Sequence, residues 1–399
     1  MNRQQKLEAL ITRTAGLIKA TPFIDDSLAY GKTGVALLYF YSARQFNDEN
    51  LAGKGLELIE EVIGNIGADT DQSIKTPDFF SGITGLLSVL SNLRQNELLE
   101  TSRVDFASLD ETVFNWTRTQ LEENNIDFFY GATGFLHYLS GLEKDETVDG
   151  YIDTLTTQLL SRFSEPGNIF GIVNHTYNRM DGREEEEINF SLAHGMVSVL
   201  LVLVRLCERG YGNPSVDEAI AKGIDSILSV TQAYAPPLPI CFAGSINTGT
   251  RQVLYQKRLG WCYSDLNILH LLYRAGKFFN RTDWLDFANE RAPIVCARRT
   301  KAETLVQDPF LCHGSAGLFQ YYQYLSVLTG YQLFEESAEY WLQRALEELD
   351  ATGDEFFSSP AYLETGHLHS FFYGLTGVAL CLLSGLDKEN SSWASIIML

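Results

Sequence analysis

A short glycine motif recurs along the whole chain, and it constrains the fold more than any other feature of the sequence. Seven copies can be recognised, with the first glycine position at 31, 82, 131, 195, 264, 314 and 374, so neighbouring copies are 49 to 69 residues apart. A period of this length is typical of repeat architectures in which each copy contributes one supersecondary unit. A chain of 399 residues is also too long for one ordinary layered core. The sequence therefore predicts a repeat array.

The copies differ in how well they keep the motif. Four are complete, one is looser, one has lost its second glycine and one has lost both. In order along the chain they read Tyr30-Gly-Lys-Thr-Gly34, Ser81-Gly-Ile-Thr-Gly85, Tyr130-Gly-Ala-Thr-Gly134, His194-Gly-Met-Val-Ser198, Tyr263-Ser-Asp-Leu-Asn267, His313-Gly-Ser-Ala-Gly317 and Tyr373-Gly-Leu-Thr-Gly377.

Each copy opens an apolar segment, and a more polar segment with helical spacing lies between copies. A helix that is apolar all round belongs inside a structure, whereas one with a single apolar stripe lies outside. Seven inner and outer helices in alternation predict an all-α fold, an α/α toroid of seven helical hairpins in a single domain, 1–399. The predicted outer helices include residues 51–66, 114–123, 151–163, 216–231, 284–300 and 337–349.

Two stretches lack the helical pattern. Residues 167–190 contain a run of four glutamates, which we interpret as solvated surface, and short strands are predicted there. We expect a small insert at 165–190. Residues 233–258 contain Pro236, Pro237 and Pro239 and are predicted to form an ordered loop across the mouth of the toroid.

The composition excludes several classes of protein. The formal net charge is −21, so the chain lacks the basic surface that nucleic-acid binding requires. The N-terminal segment has no apolar signal-peptide core, and the longest apolar run, residues 196–204, is about half as long as a membrane span. Six cysteines without close pairing are typical of a reduced, cytoplasmic protein. We therefore expect a cytoplasmic protein without a transmembrane segment.

Candidate chemistry lies in the two positions before each first glycine position. Cys262 and Cys312 both lie two residues before it, and His194 and His313 lie one residue before it, where other copies carry tyrosine. In a toroid equal register means equal height, so these side chains are predicted to meet at one rim. The helix N-termini there favour thiolates. Two thiolates and the His313 imidazole make a three-ligand set for one Zn²⁺, with the fourth position open to water or a substrate thiolate.

Plainer interpretations exist for these residues. Two cysteines fifty residues apart can both be small core hydrophobes, and a lone histidine is more often a satisfied core residue. The shared register favours metal binding for the cysteines and acid–base chemistry for His194. Cys207, Cys296 and Cys381 are predicted to be core residues, and no role is assigned to Cys241, His367 or His369.

Two charged residues are candidates for supporting roles. Asp127, four residues before the glycine of the third copy, could orient and charge-stabilise His194. Asp78 occupies the same register in the second copy, however, so an aspartate there can equally serve as a helix cap. Arg258 precedes Cys262 by four residues and could stabilise an oxyanion, or it can be an ordinary surface arginine.

With these residues in place, the sequence resembles the lanthionine synthetase C-like family, the lanthipeptide cyclases. The resemblance covers nearly the whole chain and rests on the glycine motifs together with Ala193-His194-Gly195, Trp261-Cys262-Tyr263 and Cys312-His313-Gly314. It implies an α/α toroid around one zinc ion. It also implies addition of peptide cysteines to dehydroalanine or dehydrobutyrine, which closes thioether rings. The implied partners are a dehydrated precursor peptide, a dehydratase and an exporter, through which the protein could associate with a membrane.

The resemblance also implies roles for single residues. Ser264 and Asn267 depart from the family, which usually has glycine at both positions. Both residues can cap a helix, so we expect the site to survive. The implied roles are zinc ligands for Cys262, Cys312 and His313, acid–base histidine for His194, its partner carboxylate for Asp127, the arginine before the first zinc cysteine for Arg258, and the tyrosine after that cysteine for Tyr263.

Three rival functions are compatible with parts of this sequence. A glycosidase or lyase on an α/α toroid would need paired carboxylates at the mouth and would leave the thiolates without a role. A non-catalytic zinc-containing scaffold could bind the same peptide without turnover. A relative that adds glutathione to dehydrated proteins would share every motif.

Overall fold

The structure of the protein, a computed structural model, describes residues 3–68, 70–100, 106–178 and 183–399. These residues form sixteen α-helices and four short strands. The helices are α1 (Arg3–Ala20), α2 (Lys32–Phe46), α3 (Glu49–Asn65), α4 (Ile83–Gln95), α5 (Ala107–Glu122), α6 (Ala132–Gly141), α7 (Glu146–Leu160), α8 (Met196–Glu208), α9 (Pro214–Tyr234), α10 (Asp265–Phe278), α11 (Thr282–Cys296), α12 (Lys301–Thr304), α13 (Ser315–Thr329), α14 (Gln332–Phe357), α15 (Pro360–Leu363) and α16 (Leu375–Leu386).

Each glycine motif opens a buried helix, as the sequence predicts. The seven helices α2, α4, α6, α8, α10, α13 and α16 begin at the motifs, and nearly all their residues in the first three turns are buried. The glycines are required by close approach of the backbone. A Cβ atom at Gly31 would lie 1.9 Å from the carbonyl oxygen of Asp25, and one at Gly317 would lie 1.7 Å from that of Leu311. We call the residues just before each motif the opening turn, because they fold back onto the helix start.

The described residues form two compact units. The first comprises the described residues of the ranges 1–113, 307–327 and 334–399, and the second comprises those of 114–306 and 328–333. Each unit contains several inner–outer helix pairs. The prediction of one domain over 1–399 stays a prediction.

In the first unit, the inner helices α16, α2 and α4 pack side by side in that order. The outer helix α3 packs against α2, and the N-terminal helix α1 packs against α16. The last inner helix is therefore paired with the first helix of the chain. This pairing explains why only six outer helices can be found between copies of the motif.

In the second unit, the inner helices α6, α8 and α10 form a row, with α7, α9 and α11 packed against them respectively. Several observed bounds differ from the predicted ones. Helix α5 begins at Ala107 rather than 114, α7 spans Glu146–Leu160 rather than 151–163, and α11 ends at Cys296 rather than 300. The chain leaves α11 there because Arg298 turns into the interior and pairs with Asp265.

The two non-helical stretches form one antiparallel sheet in the second unit. Its strands are β1 (Asn174–Asn178), β2 (Arg183–Asn189), β3 (Ser245–Asn247) and β4 (Val253–Leu254), in that order across the sheet. The strands expected within 167–190 are present as β1 and β2. The stretch 233–258 is not only a loop, because it supplies β3 and β4, and Ser245 pairs with Asn189. Strands of three and two residues are too short to show an alternating pattern in sequence.

The equal heights predicted from the register are observed within the first unit. The backbone N–H of Cys312 donates to the carbonyl of Phe372 at 3.0 Å. The N–H of Phe371 donates to Ala29 at 2.9 Å, and that of Ala29 donates to Phe80 at 3.1 Å. Backbone hydrogen bonds therefore join four neighbouring copies at the same register position, two residues before the first glycine position, except that Phe371 lies one residue earlier.

All six cysteines lie in the described residues, and none of them forms a disulfide. Cys207, Cys296 and Cys381 are buried within α8, α11 and α16, as predicted for core residues. In the described part of the chain, no helix is long and apolar enough to cross a membrane.

Candidate functional site

The opening turns of α6 and α8 bring Asp127 and His194 together in the second unit. His194 Nδ1 lies 2.5 Å from Asp127 Oδ2, and the two side chains are 30% and 20% exposed. Since the carboxylate engages Nδ1, Nε2 is the ring nitrogen available for proton transfer. The structure thus forms the histidine–carboxylate pair that the sequence predicts.

Asp127 also has the structural role that the sequence left open. Its Oδ1 accepts hydrogen bonds from the backbone N–H groups of Phe129 at 2.7 Å and Tyr130 at 2.9 Å. Asp78 Oδ1 accepts the equivalent bond from Ser81 at 2.8 Å in the second copy. Asp127 therefore has both roles considered from the sequence. Its Oδ1 fixes the turn, and its Oδ2 holds His194.

The surroundings of His194 favour its charged form. Burial lowers the pKa of the imidazole, but the hydrogen bond and charge of Asp127, helped by the charge of Cys262, outweigh burial, so the pKa lies above its ordinary value of 6.5. The ring packs edge-on against Phe129, with centroids 5.7 Å apart. His194 is therefore held in one orientation and retains its proton more readily than an isolated histidine.

Tyr263 completes the wall beside this pair. Its ring lies 5.4 Å from the His194 ring, and its phenol forms hydrogen bonds with Asn189 and Ser191. Burial raises the pKa of Tyr263 to about 12. The phenol is therefore a neutral hydrogen-bonding group at physiological pH.

A polar cavity of about 300 Å³ lies beside His194 in the second unit. Amide and carboxylate side chains dominate its lining, so it presents donors and acceptors rather than an apolar surface. The lining residues are Glu123, Asn124, Asn125, Ile126, Asp127, Asn174, Glu187, Asn189, His194 and Tyr263.

The turn that carries Cys262 is joined to the His194 turn by the backbone. The N–H of Ala193 donates to the carbonyl of Cys262 at 3.2 Å, and the N–H of Phe128 donates to Ala193 at 2.9 Å. Trp261 is fully buried and stacks on Phe129 with centroids 5.2 Å apart. Ala193 and Cys262 are both two residues before the first glycine position of their copies, so in the second unit, too, a backbone hydrogen bond joins equal register positions.

Arg258 is half-buried and is not among the residues lining the cavity. The neighbouring backbone is fixed from two sides, because the Arg298 guanidinium donates to the carbonyl of Lys257 and the N–H of Leu259 donates to Thr304 at 2.9 Å. The backbone at Arg258 is therefore held in place by hydrogen bonds to the residues on either side of it.

The predicted metal ligands are divided between the two units. Cys262 is 7% exposed in the second unit. In the first unit Cys312 is 1% exposed, and His313 Nδ1 lies 3.9 Å from Asp308 Oδ2. Two cysteine sulfurs and one imidazole make a donor set that fits zinc. Among the described residues, no group of three or more His, Cys, Asp or Glu side chains is arranged to hold a metal ion. The zinc site therefore stays a prediction.

A recurring Asx turn, which was not predicted from the sequence, shapes the site. In four of the seven copies, a side-chain oxygen six residues before the first glycine position accepts the backbone N–H two residues further on. The bonds are Asp25 with Ser27 at 2.9 Å, Asn125 with Asp127 at 3.3 Å, Asn189 with Ser191 at 2.8 Å and Asp308 with Phe310 at 3.0 Å. The recurrence of Asp or Asn at this offset was a usable signal.

The fifth copy has Arg258 at this offset, so it cannot make the Asx turn. A buried ion pair fixes the region instead. Arg298 Nη1 lies 2.6 Å from Asp265 Oδ2, and both side chains are almost fully buried. Asp265 also accepts the backbone N–H groups of Cys241 and Phe242, each at 3.1 Å. Cys241 is thus part of the frame that supports the turn, a role that the sequence did not suggest.

The family model described as lanthionine synthetase C-like protein matches residues 22–398. Among solved structures, nisin cyclase is similar with a TM-score of 0.73 and 19% identity, over 99% of this chain and 96% of that chain. An unsaturated glucuronyl hydrolase specific for heparin gives a TM-score of 0.43 and 11% identity, over 99% and 98% of the two chains. Comparison with curated protein sequences gives no match. The likeness to nisin cyclase confirms the predicted fold class, all-α of the α/α-toroid type.

Proposed function

The chain belongs to the lanthionine synthetase C-like family, and we propose that it is a zinc-dependent lanthipeptide cyclase. It would add cysteine thiols of a dehydrated precursor peptide to dehydroalanine or dehydrobutyrine and so form thioether rings. The observation that carries this proposal is the Asp127–His194 pair, which is built beside a polar cavity and joined through Ala193 to the Cys262 turn.

Cys262, Cys312 and His313 are the residues that would hold zinc. When bound, the metal would lower the pKa of the substrate thiol, so that the thiol reacts as a thiolate at neutral pH. Both cysteines are buried, so their thiolates would be shielded from bulk solvent.

His194 would deliver the proton that completes the addition. The substrate sulfur forms a bond to the β-carbon, and the π electrons of the double bond move into an enolate on the neighbouring carbonyl. The α-carbon then takes one proton from His194, and the proton released by the thiol restores the histidine. Asp127 stabilises the charged imidazole before transfer and fixes the ring for the reaction.

Arg258 and Tyr263 would assist this step. A guanidinium is always charged and can stabilise the enolate oxygen. Position 258 carries no Asx turn, so the Arg258 side chain is compatible with such a role. The neutral phenol of Tyr263 lies beside the His194 ring and would orient the substrate by hydrogen bonding.

The cavity beside His194 suits a peptide substrate. Its asparagine and glutamate side chains can accept backbone N–H groups, and its amide N–H groups can donate to backbone carbonyls. The volume of about 300 Å³ would accept a short part of a chain rather than a whole peptide. A dehydratase and an exporter remain the further partners expected from the family.

The test is incubation of the zinc-loaded protein with a dehydrated, cysteine-containing peptide, followed by thiol alkylation and mass spectrometry. Cyclisation leaves the mass unchanged, so the expected signal is the loss of alkylatable thiols. Unchanged thiol counts alongside measurable binding of the peptide would favour the non-catalytic scaffold. A mass increase by one glutathione, with glutathione present and the peptide thiols still alkylatable, would favour the glutathione-adding enzyme.

A further inference from the structure

The second glycine of the motif is required by a close approach that recurs in the fold. In five copies glycine stands three residues after the first glycine position. A Cβ atom at Gly85 would lie 2.4 Å from the carbonyl oxygen of Phe79, and one at Gly377 would lie 1.9 Å from that of Phe371. The backbone carbonyl of the opening turn therefore sits directly over this position.

The fifth copy replaces this glycine with Asn267, and the asparagine makes use of the same carbonyl. Asn267 is fully buried, and its Nδ2 donates to the carbonyl of Trp261 at 2.9 Å. Trp261 is the residue before Cys262. In this copy a side-chain hydrogen bond to the turn that carries the first predicted zinc ligand thus takes the place of the close backbone approach seen at the glycines.

The other end of the same amide reaches the neighbouring copy. Asn267 Oδ1 accepts the backbone N–H of Leu192 at 3.4 Å. Leu192 is two residues before His194 and lies in its opening turn. One buried side chain therefore bonds both the Cys262 turn and the His194 turn.

The amide is not needed to cap α10. Ser264 serves as the cap, because its Oγ accepts the N–H of Leu266 at 3.0 Å. An amide side chain carries its donor and its acceptor on two separate atoms, so Asn267 can donate to one backbone carbonyl and accept one backbone N–H at the same time. The departure of this copy from glycine is thus explained by the link between the two turns.

We propose that Asn267 is a positioning residue that fixes the Cys262 turn relative to the His194 turn. This inference rests on the proposed function, because the link would set the distance between the attacking sulfur, held near Cys262, and the proton donor His194. Asn267 touches neither substrate nor metal in this account. Its loss should reduce kcat more than it alters KM, because a small misplacement of reacting groups can lower the rate of the chemical step by about 100-fold.

The experiment compares Asn267→Gly with the matched variant Ser198→Gly. Both positions are the same register position in neighbouring copies, and both are fully buried. Ser198 Oγ donates to Gly195 at 2.9 Å within its own copy and so joins no second turn. Glycine is the residue of five other copies at this position, so both variants are expected to fold.

We expect Asn267→Gly to lower kcat by roughly 10- to 100-fold, with KM and zinc content within about twofold of wild type, and Ser198→Gly to retain wild-type kcat. Hydrogen exchange of segment 189–195, measured by mass spectrometry, should speed up in Asn267→Gly alone. Equal losses of kcat in the two variants, or an unchanged kcat in Asn267→Gly, would overturn the proposal.

A second variant covers the case in which glycine prevents folding. Asn267→Asp keeps the size and the acceptor for Leu192 but lacks the donor for Trp261, so its kcat should also fall, and wild-type kcat would overturn the proposal. The hydrogen-exchange measurement needs no substrate, so it tests the positioning role of Asn267 independently of the proposed cyclase function. If no variant or wild-type protein cyclises peptide, the proposed function fails. Unchanged exchange in Asn267→Gly would then overturn the link on its own.

Discussion

Asp127 divides its carboxylate between two tasks, because Oδ1 accepts two backbone N–H groups of its own turn while Oδ2 lies 2.5 Å from His194 Nδ1. Serine takes the turn-fixing task at the same register in other copies. Ser191 Oγ accepts the N–H of His194 at 3.2 Å, and Ser370 Oγ accepts that of Tyr373 at 3.0 Å. The two tasks can therefore be separated by substitution.

Asp127→Ser should keep the turn and lose only the carboxylate that faces His194. We expect kcat to fall by on the order of 100-fold, within the range that general acid–base groups contribute. The matched variant Asp78→Ser removes the same carboxylate at the same register in the second copy and should leave kcat unchanged. Steady-state cyclisation kinetics measure both. A similar loss in the two variants would mean that Asp127 acts through the fold alone.

The raised pKa of His194 predicts the direction of the pH dependence. The histidine acts as an acid, so kcat should fall as the pH rises through its folded-state pKa, which lies above 6.5. In Asp127→Ser this limb should move to lower pH, because the hydrogen bond and charge that raise the pKa are gone. A pH–kcat profile of each protein tests this, and a limb at the same pH in both would contradict it.

The same shift has a consequence for stability. A folded-state pKa above the unfolded value means that His194 contributes stability below the unfolded pKa, and that this contribution is lost as the pH rises through the folded pKa. Asp127→Ser should therefore destabilise the protein more at pH 5 than at pH 8. Denaturant unfolding of wild type and variant at the two pH values gives the difference, and an equal loss at both would argue against a charged pair.

The buried Asp265–Arg298 pair should be costly to break from one side. Arg298→Met leaves the Asp265 carboxylate buried with only the N–H groups of Cys241 and Phe242, and such a change costs about 3–5 kcal/mol. The double variant Arg298→Met with Asp265→Asn removes the unpaired charge and should recover part of this loss. Chemical denaturation measures both. An Arg298→Met protein as stable as wild type would show that the pair does not fix the Cys262 region.

Zinc content tests the predicted ligand set without reference to activity. We expect about one zinc ion per chain, lost in Cys262→Ala and in Cys312→Ala and retained in Cys296→Ala, a buried cysteine of the core. Elemental analysis after dialysis gives the stoichiometry. A metal-free wild-type protein with full activity would refute the site.

The repeat and its register could be predicted from sequence because both rest on glycine. A close backbone approach excludes every side chain, so the glycines recur wherever the approach recurs, and helices follow from the apolar segments after them. Asp127 and His194 could be placed on this register, and the structure brings them into contact.

Features that depend on distant pairing could not be predicted in the same way. Strands β3 and β4 are defined by the partner that β2 offers, and α1 is recognisable as the last outer helix only once it packs against α16. The link through Asn267 depends on the carbonyl of Trp261 in its own copy and on the N–H of Leu192 in the neighbouring copy. The sequence shows that Asn267 departs from glycine, but it does not show that the side chain joins the Cys262 turn to the His194 turn.

We propose that this protein adds a thiol across a dehydro residue and protonates the α-carbon through His194. Cyclisation in D₂O tests it most directly, because the α-carbon then gains one deuterium that does not exchange back into H₂O. We predict that each ring closed by the wild-type protein removes one alkylatable thiol and adds one mass unit, and that His194→Ala reduces both signals together. A peptide that keeps its thiols and its mass after incubation with the zinc-loaded protein would contradict the account.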